Sequence, residues 1–152
     1  MFSLSLQKLL AEKGIHIERK IAKEVFAEKE KYLTDLYQNA GYESVPKSVI
    51  LFLSYFDNQQ IVHKGQKIEF CLSYTMQFFT HSKVTQTEKL LEKRIFPLGT
   101  MASGWYDLFA DESGAVFAFH IEGDELIFYG ENPFLALQNI LKNSPIETTM
   151  FR

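Results

Sequence analysis

Residues 105–130 read WYDLFADESGAVFAFHIEGDELIFYG, three runs of strand-forming residues divided by two short polar turns that each contain a glycine. Aromatic and β-branched side chains suit a pleated, half-buried surface, and connections this short join only antiparallel neighbours. The C-terminal half of the chain is therefore committed to a three-stranded meander of WYDLFAD, AVFAFHI and LIFYG.

The remaining elements can be set around this meander. Leu6, Leu9 and Leu10 recur at helical spacing before Gly14, which marks a short first helix. A second helix is expected from about Ile21 to Ala40, with Ile21, Val25, Tyr32, Leu36 and Ala40 as its apolar positions, the mixed-sign run KEVFAEKEKYL as its solvated face, and Gly41 as its stop. Pro46 opens a third helix with the stripe Val49, Phe52, Leu53 and Phe56. Strands IVHK and KIEFCLS follow, joined by Lys64-Gly65-Gln66, with Cys71 read as a buried small apolar residue of the second strand. Thr85 and Glu88 form a capping-box pattern ahead of a short helix KLLEK, and Asn132-Pro133 supplies the N-cap and first residue of a closing helix. Helices, strands, helix, meander and helix in that order place the chain in the α+β class, and its 152 residues suit one domain, 1–152.

Turn chemistry proposes a register. Gly123 at the first central position of Glu122-Gly123-Asp124-Glu125 suits a two-residue hairpin that sets Ile121 opposite Leu126, Phe119 opposite Phe128 and His120 opposite Ile127. Phe117, Phe119, Ile121, Leu126 and Phe128 then share a core face. For the turn Asp111-Glu112-Ser113-Gly114, pairing Asp111 with Ala115 would bury Asp107 against Phe119, and an unpartnered buried carboxylate costs several kcal/mol, roughly. Pairing Asp111 with Gly114 avoids this, and it gathers Trp105, Asp107, Phe109, His120, Ile127 and Tyr129 on one outward face. Two placements of Trp105, Phe109 and Tyr129 stay open: that exposed face, or a second core layer beneath a helix.

Charge is unevenly distributed. Residues 1–94 hold 14 Lys+Arg against 11 Asp+Glu, whereas residues 95–141 hold seven acids and no base. A one-signed surface favours partners of opposite sign and argues against nucleic acid, which requires a basic patch. No apolar run reaches the length of a membrane span, and MFSLSLQKLLAEKG alternates like an amphipathic helix without a signal-peptide core, so a cytoplasmic protein without membrane contact is expected. A single cysteine and scattered histidines offer no disulfide and no ligand spacing, so no cofactor or metal is expected.

The run from Pro97 and Gly99, through Asp111, Gly114 and Phe117, to Gly130, Ala136, Leu137 and Leu141 resembles the C-terminal half of the SUKH superfamily, in particular its third branch of bacterial immunity proteins. LQKLLAEKGI and VPKSVILFLSYF resemble its opening and proline-led helices. Where the family often has two glycines after the latter, this chain has Asp57-Asn58-Gln59-Gln60. The resemblance implies a mostly antiparallel sheet, with its C-terminal three-stranded meander, packed by N-terminal helices and a C-terminal helix. It also implies neutralisation of a polymorphic bacterial toxin by protein–protein contact, not catalysis.

On that reading, the partner surface is Trp105, Asp107, Asp111, Glu112, His120, Glu122, Asp124, Glu125, Tyr129 and Glu131. Tryptophan and tyrosine would anchor a basic toxin domain, of the kind a nuclease presents, and the acids would steer it. The protein itself is expected as a monomer or weak homodimer. Two alternatives stand beside this: an intracellular protein-binding scaffold without a toxin partner, and a small hydrolase in which Asp107 orients His120 as general base.

Overall fold

The computed structural model describes residues 2–17 and 21–151. Helices α1 (Leu4–Glu12), α2 (Lys23–Asn39) and α3 (Lys47–Phe56) precede a hairpin of β1 (Gln59–His63) and β2 (Gln66–Phe70). Helices α4 (Leu72–Phe78) and α5 (His81–Leu91) lead to β3 (Ile95–Met101), a 3-10 turn Ala102–Gly104, β4 (Tyr106–Asp111), β5 (Val116–His120) and β6 (Glu125–Gly130). Helix α6 (Pro133–Leu141) and strand β7 (Glu147–Met150) complete the chain. The strands form one antiparallel sheet in sequence order, β1 to β7, so the fold is α+β and the meander is part of a larger sheet.

Most helix ends follow from local chemistry. Ser3 Oγ accepts from Leu6 N–H to open α1, Pro46 directly precedes α3, and Asn132 Oδ1 accepts from Leu135 N–H with Pro133 at the first helical position of α6. The α3 stripe Val49, Phe52, Leu53 and Phe56 is buried as its spacing requires. In α2 the buried pair is Leu33 and Tyr37, while Val25 and Tyr32 of the expected stripe face solvent. The Tyr37 hydroxyl donates to the Pro97 carbonyl inside the core, and this anchor sets the rotation of the helix.

The segment between β2 and β3 differs from expectation. Strand β2 stops at Phe70, and Cys71 is the half-buried N-cap of α4, its Sγ donating to Asn58 Oδ1 at 3.3 Å. Helix α5 starts at His81 behind Thr80, whose Oγ1 accepts from Lys83 N–H, so Thr85 lies within the helix. Glu88 caps no N-terminus and instead accepts from Ile95 N–H at 3.0 Å. Asn58, in the segment where the family often has glycines, takes the left-handed conformation (φ 68°) that asparagine tolerates better than most residues.

Both hairpin registers are corrected. Leu126 pairs with Phe119 and Ile127 with Ala118, two residues from the expected pairing, because the loop Ile121–Asp124 is four residues long. A shift of two preserves the faces. Asp111 pairs with Ala115 around a three-residue loop ending in Gly114 (φ +90°), a known hairpin form, and this one-residue change turns β4 over. Asp107 consequently lies opposite Phe119, and Tyr106 opposite His120.

The roles of the two faces are also exchanged. Leu108, Ala110, Val116, Ala118, Ile127 and Tyr129 join the principal core with Leu6, Leu10, Phe52, Phe56, Phe134 and Leu137 of the helices. Large helical side chains fill the space left by small strand residues such as Ala110 and Ala118. The phenylalanine-rich face, expected as the main core, forms a smaller cluster in which Ile95, Phe109 and Phe119 meet Phe79 and Val84. Phe117, Leu126 and Phe128 on that face are only partly buried, and Ile121 is exposed.

Candidate functional site

Reversal of β4 disperses the expected outward face. Asp107 is 6 % exposed and pairs with Lys83 of α5, while Phe109 is buried beside Phe119. Tyr129 and Ile127 are buried in the principal core. Asp107 and His120 point to opposite faces of the sheet, so the pair required by the hydrolase reading is not formed.

Asp111, expected at the surface, is 4 % exposed and holds its own turn. Its Oδ1 accepts from Ser113 N–H at 2.9 Å, Ser113 Oγ–H at 2.6 Å and Ala115 N–H at 3.1 Å, and its Oδ2 accepts from Lys93 Nζ at 3.2 Å. Burial acts to raise this carboxyl, but the hydrogen bonds from Ser113, Lys93 and Ala115 outweigh it and hold the carboxyl below its ordinary value. Two of the seven acids in the base-free segment are thus neutralised by lysines from α5 and the loop after it.

The other five fall at two ends of the sheet. Glu112 and Glu131 are exposed beside the β4–β5 turn and the end of β6. Glu122, Asp124 and Glu125 occupy the β5–β6 loop, about 17 Å away along strands of five to six residues.

The second end carries an exposed tryptophan and isoleucine beside these acids. The 3-10 turn after β3 brings Trp105 to the surface, where it is 52 % exposed and accepts through its carbonyl from Ile121 N–H at 3.0 Å. Its indole stacks on the His120 ring at 6.0 Å and 15°, and Tyr106 meets the same imidazole edge-on at 5.0 Å. The Tyr106 hydroxyl donates to Glu125, and its pKa is pushed up to about 12 by burial and by that carboxylate. His120 Nδ1 accepts from Glu122 N–H at 3.3 Å and lies 3.1 Å from Asp124 Oδ1. The bonds from Ile121 N–H to the Trp105 carbonyl and from Glu122 N–H to His120 Nδ1 fix the loop, and Trp105, Ile121 and Glu122 are exposed around it.

One ligand atom each of His120, Glu122 and Asp124 lies within 4.8 Å of the others. Within this group His120 Nδ1 accepts from the Glu122 N–H, so the imidazole braces the turn through its backbone. Alternation with Phe119 predicts a core position for Ile121, which is instead 48 % exposed. Its position inside a four-residue loop, where alternation no longer applies, is the signal that would have placed it at the surface.

A sequence model of the SUKH-3 immunity proteins matches residues 2–143. The chain belongs to the SUKH-3 immunity protein family. Membership supports a role in toxin immunity. No curated protein and no solved structure shows a significant match to the chain. Among the described residues, no helix is long and apolar enough to cross a membrane.

In this SUKH-3 protein the residues that carry the resemblance work in the fold. A Cβ on Gly99 would lie 2.0 Å from the Glu69 carbonyl oxygen, so only glycine lets β3 approach β2. Gly130 abuts the Ala136 backbone, Asp111 and Gly114 make the hairpin turn, and Leu137 and Leu141 are buried. None of these motif residues is Trp105, Ile121 or Glu122. Strand β7 lies beyond the matched stretch.

Proposed function

We propose that this protein neutralises a toxin by binding it through the end of the sheet where Trp105 meets the β5–β6 loop. The observation that carries the reading is an exposed tryptophan and isoleucine, 52 % and 48 % open, beside Glu122, Asp124 and Glu125. Aromatic anchors ringed by acids suit a basic protein partner, with the apolar pair supplying affinity and the acids supplying steering. Of the residues expected at this surface, Trp105, Glu122, Asp124 and Glu125 form it, and His120 braces it. Glu112 and Glu131 serve as a comparison site at the other end.

Co-expression with the product of the neighbouring gene, read by cell survival and pull-down, tests the proposal. Trp105→Ala with Glu122→Lys is expected to abolish both protection and capture, and Glu112→Lys with Glu131→Lys to preserve them. The reverse pattern would move the interface to the opposite end.

A further inference from the structure

Strand β7 closes one side of the sheet, and its outer edge is bare. Among the described residues it pairs with β6 alone, and it is exposed at all four positions. Its register tells which backbone groups are free. Phe151 N–H donates to the Asp124 carbonyl at 2.8 Å, in step with the β6–β7 pairing, and bonding residues alternate along an antiparallel ladder. Glu147 and Thr149 therefore turn their N–H and C=O groups toward β6, whereas Thr148 and Met150 turn theirs away from the sheet. Natural edge strands are blunted by lysine, proline or a bulge. The run ETTM has none of these, and Glu147 is its one charge.

We propose that β7 pairs with β7 of a second copy of this chain, antiparallel about a two-fold axis at Thr149, so that the two sheets join into one. The backbone decides the register. Outward-facing residues must meet each other, so the axis falls on a residue and not between two. With the axis at Thr149, Thr148 of each copy faces Met150 of the other, and each pair exchanges both of its N–H···O bonds. An axis at Thr148 would set Met150 against Ile146, whose N–H is already given to the Phe128 carbonyl at 2.8 Å. An axis at Met150 would carry Thr148 past the end of the opposing strand. Side chains favour the same register. Thr149 meets its own symmetry mate, a favourable cross-strand pair, and Glu147 lies opposite Phe151 and away from the other Glu147. Any extended segment could take the backbone bonds, but this self-match selects a second copy.

The pairing is isologous, so it uses up both free β7 edges and closes at a dimer. Strands β5 and β6 stand between β7 and β4, so the Trp105 end of each copy stays open and the dimer carries two of them. The inference does not depend on what that end binds. A strand of four residues buries much less than the roughly 1,200 Å² of a stable interface, so the dimer is weak and half-formed at roughly a few hundred micromolar.

Sedimentation equilibrium up to about 1 mM protein is expected to show the chain passing from monomer toward dimer. Thr148→Pro removes an outward N–H and no bond to β6, so it should lose the dimer and keep the melt of the monomer. Thr149→Lys and Thr149→Glu should each stay monomeric alone, and their equal mixture should dimerise, because opposite charges then meet across the axis. In a Cys71→Ser background, Thr149→Cys should form an intermolecular disulfide on mild oxidation at least about tenfold faster than Glu147→Cys, since directly opposed residues of a non-hydrogen-bonded pair have Cα atoms about 4.5 Å apart. A chain monomeric to about 1 mM, a charge-swapped mixture no more associated than its parts, or growth beyond the dimer would overturn the inference. Loss of toxin capture by Thr148→Pro in a chain that stays monomeric would overturn it too, by giving the edge to the toxin.

Discussion

Lys83 of α5 and Asp107 of β4 form an ion pair beneath the helix, and that pair permits β4 to face as it does. Asp107 is 8 % exposed at its side chain and Lys83 35 %, so removing the lysine leaves a largely buried charge without its partner. Lys83→Met should cost about 3 kcal/mol in urea denaturation. Adding Asp107→Leu should recover most of the loss, because the unpaired charge is then gone. A double variant as unstable as the single would show that the pair does not set the cost.

Asp111 should make stability depend on acid. Its folded carboxyl is held below the ordinary value, so its contribution is present above the unfolded value of about 3.9 and is lost as pH falls through the folded one. Asp111→Asn should therefore be less stable than the parent at pH 7, with the gap closing below about pH 4. Asp57, raised chiefly by burial despite hydrogen bonds from Leu72 and Asn58, acts in the opposite direction, so the parent-to-variant difference is the quantity to follow. A gap constant from pH 7 to 2 would contradict the assignment.

Gly99→Ala should separate β2 from β3. The added carbon meets the Glu69 backbone, which cannot swing aside like a side chain, and a loss of about 2 kcal/mol or more is expected. Hydrogen exchange should quicken first in β1 and β2, outboard of the damaged contact.

Trp105 and Tyr129, both expected on one surface from sequence, should behave differently. Trp105→Ala should change stability by no more than about 1 kcal/mol yet weaken partner binding about 30-fold or more, as loss of a central aromatic anchor does. Tyr129→Ala, in the core, should cost about 3–5 kcal/mol in thermal or urea unfolding. Similar melts for the two variants would refute this division.

Legibility in the sequence followed the range of the interaction concerned. Asn132-Pro133, Pro46 and Ser3 act on N–H groups within a few residues, and the α3 stripe repeats within one helix, so each could be read locally. The register of β4 depends on Lys83, which stands 24 positions before Asp107 and on another element, so a local rule charged Asp107 with a penalty that the fold removes. Helix α4, with the sequence LSYTMQF, gets no side-chain cap bond from its N-cap Cys71, its Leu72 N–H being met instead by the distant Asp57, and it has no clear stripe to separate it from a strand. Strand β7, ETTM, is exposed at all four positions and so shows no alternation. At the candidate site, Trp105 and the acids of the loop were legible as types, whereas their division between two ends of the sheet awaited the register.

The residues that hold this fold together and those exposed around Trp105 are separate sets. Gly99, Gly130 and Asp111 each answer to a fixed neighbour, so change there is paid in stability. Ile121 and Glu122 are exposed on a loop, and Trp105 on the turn before β4, whose shapes are kept chiefly by His120 and backbone hydrogen bonds. A lineage built on this plan can exchange those outward side chains one at a time as a partner changes, with every intermediate still folded.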